Sequence, residues 1–138
     1  METLLELLLQ KARERPAAAA ILAFEKEPLS YKTLVDQVDL AGAQMRALGL
    51  SQNSCVAIVL PNGAIMATTF LAVSTWAVSA PLNPAYGEQE FRFYLSDLDA
   101  QALIVMKDSD SPAVSVAWEL GLPVCVLFAH LPRRSPPR

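Results

Sequence analysis

The chain has 138 residues, 53% of them hydrophobic, and a formal net charge of −3, which suits one domain with a sizeable core. Three of its eleven basic residues lie among the last eight positions, so residues 1–130 carry eight basic and fourteen acidic side chains. This balance, and the lack of a basic run before Arg133, argue against a nucleic-acid-binding surface.

The cysteines and the chain ends indicate an intracellular setting. Cys55 and Cys125 both lie inside apolar runs, which predicts buried free thiols in a reducing compartment, with a disulfide between neighbouring strands as the alternative. Near the N-terminus, Glu2 and Glu6 stand where a secretory signal would carry basic residues. We expect a cytoplasmic or peroxisomal protein with no targeting signal at either end.

The first third of the chain predicts a helix, a strand and a second helix. Residues 3–15 place leucines on one side and charged residues on the other, and Pro16 ends this amphipathic helix. Residues 20–24 form a short apolar strand. Ser30 is then predicted to cap a helix with a single apolar face, which Gly49 terminates.

The middle of the chain carries no charge between Arg46 and Glu88, and residues 64–82 approach the length of a membrane span. Five Ser and Thr side chains inside this run, breaks at residues 61–63 and at Pro81, and the lack of flanking basic anchors argue against a membrane helix. We predict instead a strand over 55–60, a turn with Asn62 as N-cap, a helix over 63–76 and a strand over 78–82.

The last third predicts a helix over 88–98, a strand over 102–106, a helix that Ser111 caps and Pro112 opens, and a strand over 124–128. Apolar strands that alternate with helices imply β-α-β units covered on both faces, hence an α/β fold with a largely parallel sheet. Residues 131–138 are rich in Pro and Arg and are predicted to be a disordered tail. The folded region is therefore expected over residues 1–130.

The sequence offers no set of residues for catalysis. Neither of the common glycine-rich phosphate-loop patterns occurs, and the sole histidine, His130, has no candidate nucleophile and is interpreted as a surface residue. The acidic residues at 97–99 and 108–110 lack the spacing of a cation loop. We predict no catalytic, cofactor-binding or metal-binding residue, and we interpret Trp76 and Trp118 as core or interface packing.

Residues 81–94, Pro-Leu-Asn-Pro-Ala-Tyr-Gly-Glu-Gln-Glu-Phe-Arg-Phe-Tyr, form the most informative segment. Its two prolines stop an apolar run, because each fixes φ and lacks an N–H group. A glycine then permits a turn, and two glutamates suit the first turn of a helix. We assign a structural role to a motif within this segment that comprises Pro81, Leu82, Asn83, Pro84, Tyr86, Glu90 and Tyr94.

Together with residues 56–63, Val-Ala-Ile-Val-Leu-Pro-Asn-Gly, and residues 70–73, Phe-Leu-Ala-Val, this segment resembles the N-terminal region of the AMP-forming acid–CoA ligases, the adenylate-forming superfamily. It looks most like the oxalate–CoA ligase or peroxisomal-CoA synthetase branch. The resemblance runs from about residue 4 to residue 128 and implies a partial N-terminal subdomain of that fold. The family usually has Gly-Asp before the first apolar strand, where this chain has Asn53-Ser54.

The resemblance implies ATP, Mg²⁺, CoA and a carboxylic acid for the complete enzyme, and none of these for this chain. The family's phosphate loop, ribose-binding Asp and catalytic Lys lie downstream of the matched region. We therefore expect an N-terminal fragment that is inactive alone and that associates with the missing remainder of the ligase or with itself. The alternative is a small non-catalytic module that docks on a full-length ligase.

Overall fold

The computed structural model describes residues 1–23 and 27–127. Five helices and six strands follow one another in this part of the chain. They are α1 (Leu4–Glu14), β1 (Ala19–Ile21), β2 (Leu29–Ser30), α2 (Tyr31–Ala47), β3 (Cys55–Val59), α3 (Ala64–Trp76), β4 (Val78–Pro81), α4 (Glu88–Asp97), β5 (Ala100–Met106), α5 (Pro112–Glu119) and β6 (Val124–Leu127).

The main sheet has four parallel strands in the order β4-β3-β5-β6. Ile58 of β3 lies opposite Pro81 of β4 on one side and Ile104 of β5 on the other. Helices α3, α4 and α5 connect successive strands of this sheet. The predicted α/β architecture with a parallel sheet is therefore confirmed.

Helices cover both faces of the sheet, because β3 and β5 carry apolar side chains in both directions. On one face, Phe91 and Leu95 of α4 pack with Val116 of α5 against the strands. On the other face, Met45 of α2 and Val73 of α3 pack against the opposite side of the same strands. The core consequently lies in two layers, one on each side of the sheet.

A third apolar cluster lies on the outer side of α2 and α3. Leu8 of α1 packs there with Leu34 and Val38 of α2, and the antiparallel ladder of β1 with β2 adds Leu29. The amphipathic pattern of residues 3–15 thus has its apolar face against α2, as the spacing of its leucines predicts.

Short side-chain caps set several helix ends. Thr3 and Glu6 cap α1 reciprocally, with distances of 3.1 Å from the Glu6 N–H to Thr3 Oγ1 and 2.7 Å from the Thr3 N–H to Glu6 Oε2. The predicted Ser30 and Ser111 caps are confirmed. Gly49, with φ 76°, ends α2, and the N–H of the following Leu50 donates to a carbonyl of the last turn at 3.0 Å.

Three sequence expectations need correction. The N-cap of α3 is Gly63 and not Asn62, because Gly63 adopts φ 150°, a backbone conformation that a side chain disfavours. The short strand β2 had not been predicted. Edge strands β4 and β6 are only half-buried, since each has a neighbour on one side among the described residues. Phe24, Phe128, His130 and the proposed tail lie outside those residues.

Candidate functional site

The motif residues begin at the carboxyl end of β4, where the chain turns sharply. The Leu82 N–H still donates to the Ile58 carbonyl at 2.9 Å, so the ladder continues just beyond Pro81. The side-chain oxygen of Asn83 then accepts the Ala85 N–H at 2.9 Å, and the Tyr86 N–H donates to the Asn83 carbonyl at 3.1 Å. Pro84 occupies the second position of this four-residue turn, where its fixed φ suits the backbone.

Glu90 fixes the start of α4. Its carboxylate accepts the N–H of Gly87 at 3.0 Å, which is one half of a capping box. Two acidic residues in the first turn, Glu88 and Glu90, also interact favourably with the helix dipole. The carboxylate of Glu90 thus serves the helix end.

Aromatic rings hold the turn against α4. Tyr86 stacks on Tyr94 with ring centres 5.1 Å apart and planes 14° apart, and it meets the fully buried ring of Phe91 edge-on at 5.8 Å. The hydrogen bond between the Tyr86 and Tyr94 side chains raises the pKa of Tyr86. Tyr86 is therefore not poised as a base near neutral pH.

The other motif residues line a cleft at the carboxyl ends of β3 and β4. Its volume is about 330 Å³, at the lower end of the range for small-molecule sites. Leu60 and Met66 form an apolar wall, and Asn62 and Asn83 supply the polar groups. Among the residues that the structure describes, no titratable side chain lines the cleft. Its lining residues are Leu60, Asn62, Met66, Pro81, Leu82, Asn83 and Pro84.

Charged residues converge on the outer surface of the α4–α5 layer. The Arg92 guanidinium lies 2.8 Å from a Glu88 carboxylate oxygen and 2.9 Å from one of Glu119, so it joins the two helices. Glu119 and then Glu88 raise the pKa of Arg92, which stays charged at all accessible pH values. All three side chains are exposed, so this network is a solvated surface contact.

The acidic segments serve as turns. Asp99 and Asp108 have φ of 50° and 61°, left-handed values that Asp tolerates. Ser109 accepts the N–H of Ser111 through its hydroxyl at 3.2 Å. Among the residues that the structure describes, no group of three or more His, Cys, Asp or Glu could hold a metal ion.

Both cysteines are free and half-buried. Burial raises the pKa of the Cys125 thiol, and burial followed by the negative charge of Asp99 raises that of Cys55. The whole of β5 lies between their strands, and Cys55 pairs with Ala100 whereas Cys125 pairs with Ile104. This separation exceeds the reach of a disulfide, which rules out the alternative of a bond between neighbouring strands.

The two tryptophans differ in their exposure and packing. Trp76 lies between α2 and α3, where its indole N–H donates to the Val38 carbonyl at 2.8 Å and the Arg46 guanidinium sits 5.4 Å from the ring centre. Core packing is confirmed for Trp76. Trp118 is 69% exposed on α5, so core packing is wrong for this residue, and interface packing stays a prediction. Small inward-facing residues, Ala113 and Ala117, take the buried side of α5 instead.

The sequence of residues 8–132 matches the family of AMP-binding enzymes. This chain belongs to that family. An oxalate–CoA ligase of Arabidopsis thaliana is 35% identical over 123 residues, which are 88% of this chain and 24% of that protein. The chain thus spans about a quarter of the length of this curated relative.

Solved structures support the same fold. An anthranilate–CoA ligase in complex with anthranoyl-AMP superposes with a TM-score of 0.79 at 18% identity, over 91% of this chain and 25% of that one. The N-terminal domain of FACL13 from Mycobacterium tuberculosis gives 0.74 at 19% identity, over 100% of this chain and 38% of that one. The fold is therefore that of a part of the N-terminal region of adenylate-forming ligases, and the sequence is similar to oxalate–CoA ligase and other CoA ligases.

No membrane-spanning candidate occurs among the described helices, since each is too short or too polar to cross a bilayer. The apolar run at residues 64–82 forms α3 and β4, as the breaks around it predict. Two structural features had escaped the sequence analysis, namely the Arg92–Glu119 ion pair and the contact of Trp76 with α2. Each joins residues at least 27 positions apart, and no local pattern signals such a pairing.

Proposed function

We propose that this chain is the opening segment of an ATP-dependent, AMP-forming acid–CoA ligase and that it acts as a scaffold without catalytic groups. The complete enzyme would join a carboxylic acid to AMP from ATP, with Mg²⁺, and then transfer the acyl group to CoA. Oxalate is the first acid to test, because the Arabidopsis relative carries that name. An intracellular setting, cytosol or peroxisome, fits such substrates.

One observation carries the scaffold role: the motif's side chains are engaged within their own turn and helix. Asn83 and Glu90 each accept a backbone N–H two or three residues away. Tyr86 and Tyr94 stack on one another, and within residues 1–23 and 27–127 no titratable side chain lines the adjacent cleft. These described residues do not fit ATP or Mg²⁺, since phosphate groups need cationic or backbone donors and a hard cation needs several oxygen ligands. The groups for nucleotide and metal would come from the remainder of the ligase.

Carboxylate-dependent exchange of pyrophosphate into ATP tests both halves of the proposal. The 138-residue chain should give only the blank rate with oxalate, acetate or a medium-chain fatty acid. A chain extended by ligase sequence that carries the phosphate loop and catalytic Lys should show exchange and form the CoA thioester. Exchange by the short chain would overturn the scaffold role, and an extended chain that is folded but inactive would overturn the ligase assignment.

Substitutions in the extended enzyme distinguish a scaffold role of the segment from direct contact with the substrate. Pro84→Gly and Tyr94→Ala should lower the melting temperature while the ratio of kcat/KM between two acids stays within about twofold, because neither residue is proposed to touch the acid. A variant with unchanged melting temperature and a switched acid preference would place a substrate determinant in this segment.

The docking-module alternative rests on a different observation. Phe93 and Trp118, 62% and 69% exposed, both lie on the α4–α5 layer, and large exposed aromatic side chains are enriched at protein interfaces. Specific binding of the 138-residue chain to an intact ligase, lost in Trp118→Ala, would favour the module.

A further inference from the structure

The two edges of the four-stranded sheet differ in their capacity to accept another strand. The N–H groups of Val78 and Leu82 donate towards β3, so the backbone groups of Ser79 and Pro81 point to the open side of β4. Pro81 has no N–H, and proline on an edge strand is a common protection against further pairing. The β4 edge is therefore partly blocked.

Within the described residues, the β6 edge has no such protection. Carbonyls of Pro123 and Leu127 accept N–H groups from β5 at 3.0 and 2.8 Å, and the parallel register continues between them. By alternation, Val124 and Val126 direct both their N–H and their C=O groups away from β5. The strand contains neither proline nor charge nor a bulge, so among the described residues it presents an apolar edge able to pair.

The spacing of these outward groups is self-complementary. We propose that β6 is a homodimer edge, at which two copies of the chain pair antiparallel about a two-fold axis at Cys125. Val124 of each copy then faces Val126 of the other and exchanges hydrogen bonds with it, and the two Cys125 residues face each other between these pairs. This inference concerns the 138-residue chain itself and goes beyond its proposed role in a ligase.

The properties of the two edges favour a second copy of this chain as the partner of β6. β6 carries no charge, so two identical strands meet without electrostatic repulsion. A two-fold arrangement uses each β6 edge once and closes the assembly. Further growth would have to use β4, where Pro81 removes a donor. The structure thus favours a closed pair with a continuous eight-stranded sheet over an open fibre.

This register brings two thiols together. Residues that face each other without hydrogen bonds in an antiparallel pair have Cα atoms about 4.5 Å apart, within the range of a disulfide. Cys125 lies on the α2–α3 face of the sheet, as does Leu127, and a two-fold axis perpendicular to the sheet keeps both thiols on that face. Cys55 lies on an inner strand, away from the axis.

Oxidative cross-linking tests the register. The purified chain is treated with copper(II)–phenanthroline in air, under which two thiols lose two protons and two electrons to oxygen and form one S–S bond. We expect a covalent species of twice the 15.0 kDa chain mass, formed equally by Cys55→Ser and not formed by Cys125→Ser. Peptide mapping should give a Cys125–Cys125 link. Links that involve Cys55 would overturn the register, even if the chain also forms larger species.

Sedimentation velocity under reducing conditions tests the edge itself. Val126 and Val78 offer a matched pair, because they are 48% and 49% exposed on the two edge strands. Val126→Lys should weaken the dimer at least tenfold, since it places a charge in the pairing edge, whereas Val78→Lys should leave it unchanged. A wild-type chain that is monomeric at tens of micromolar, or a Val126→Lys variant that dimerises as wild type does, would refute the proposal.

Discussion

The contact between Gly42 and Trp76 gives the sharpest test of the packing. A methyl group on Gly42 would lie 2.6 Å from Cε2 of Trp76 and 2.8 Å from its Nε1, about 1 Å inside the usual carbon contact of about 3.5 Å. The indole cannot move away freely, because its N–H donates to the Val38 carbonyl. Gly42→Ala must therefore displace a ring that joins α2 to α3.

The magnitude follows from three opposing effects. Alanine in the helix interior gains about 1 kcal/mol over glycine. Overpacking costs about 1–3 kcal/mol, and weakening of the indole hydrogen bond adds up to about 1 kcal/mol. Together these effects lower the free energy of unfolding by about 0–3 kcal/mol. For Gly42→Ala we expect the middle of that range, a loss of about 1–2 kcal/mol, measured as a lower urea midpoint by circular dichroism.

A double-mutant cycle supplies the control. In a Trp76→Phe background the smaller ring removes the clash, so Gly42→Ala should be neutral or stabilising by up to about 1 kcal/mol through its helix propensity. If Gly42→Ala stabilised the chain as much with Trp76 present as it does in the Trp76→Phe background, the close contact of α2 with α3 would be refuted.

Three further predictions address the core, a helix cap and the thiols. Phe91→Ala should lower the free energy of unfolding in urea by about 3–5 kcal/mol, because this ring is fully buried. Phe93→Ala, at an exposed site, should change that free energy by no more than about 0.5 kcal/mol. Similar losses in the two variants would contradict the burial of Phe91. Ser111→Ala should lower the free energy of unfolding by about 1 kcal/mol through loss of the α5 cap. An unchanged urea midpoint would contradict the stabilising role of this cap. Because burial raises the pKa of Cys55 and Cys125 above 9.0, stability should fall as pH rises beyond about 9, and iodoacetamide should label both thiols faster in urea. Equal labelling rates in folded and unfolded chains would contradict this shift.

The element types were predictable because the local signals agreed. Residues 55–59 and 102–106 are continuous apolar runs, and serines with suitable spacing mark the starts of α2 and α5. The N-cap of α3 is the exception. Asn62 is a strong N-cap by type, but the adjacent Gly63 accepts a backbone conformation that ends the turn one residue later, so local propensity alone misplaced the cap.

The strand order and the exposed residues were not predictable in the same way. After β4 the chain returns across β3 to place β5 on its other side, and no residue pattern encodes that choice of neighbour. The sequence left core and interface packing open for Trp118, because tryptophan is usually well buried but is also enriched at interfaces. Its helix instead directs Ala113, Val116 and Ala117 inward against the sheet, and two small alanines on that face gave no strong hydrophobic signal.

The sequence predicts only those features of the candidate site that depend on nearby residues. The motif's polar contacts span two or three residues, from Asn83 to Ala85 and from Glu90 to Gly87, so local sequence determines them. Catalytic sites require side chains from distant parts of a chain to converge, and no such convergence involves these groups in the described residues. A turn that satisfies its own polar groups can keep its conformation whether or not further domains are attached. This agrees with the proposed scaffold role, in which the segment shapes one end of the sheet and substrate chemistry belongs to residues outside it.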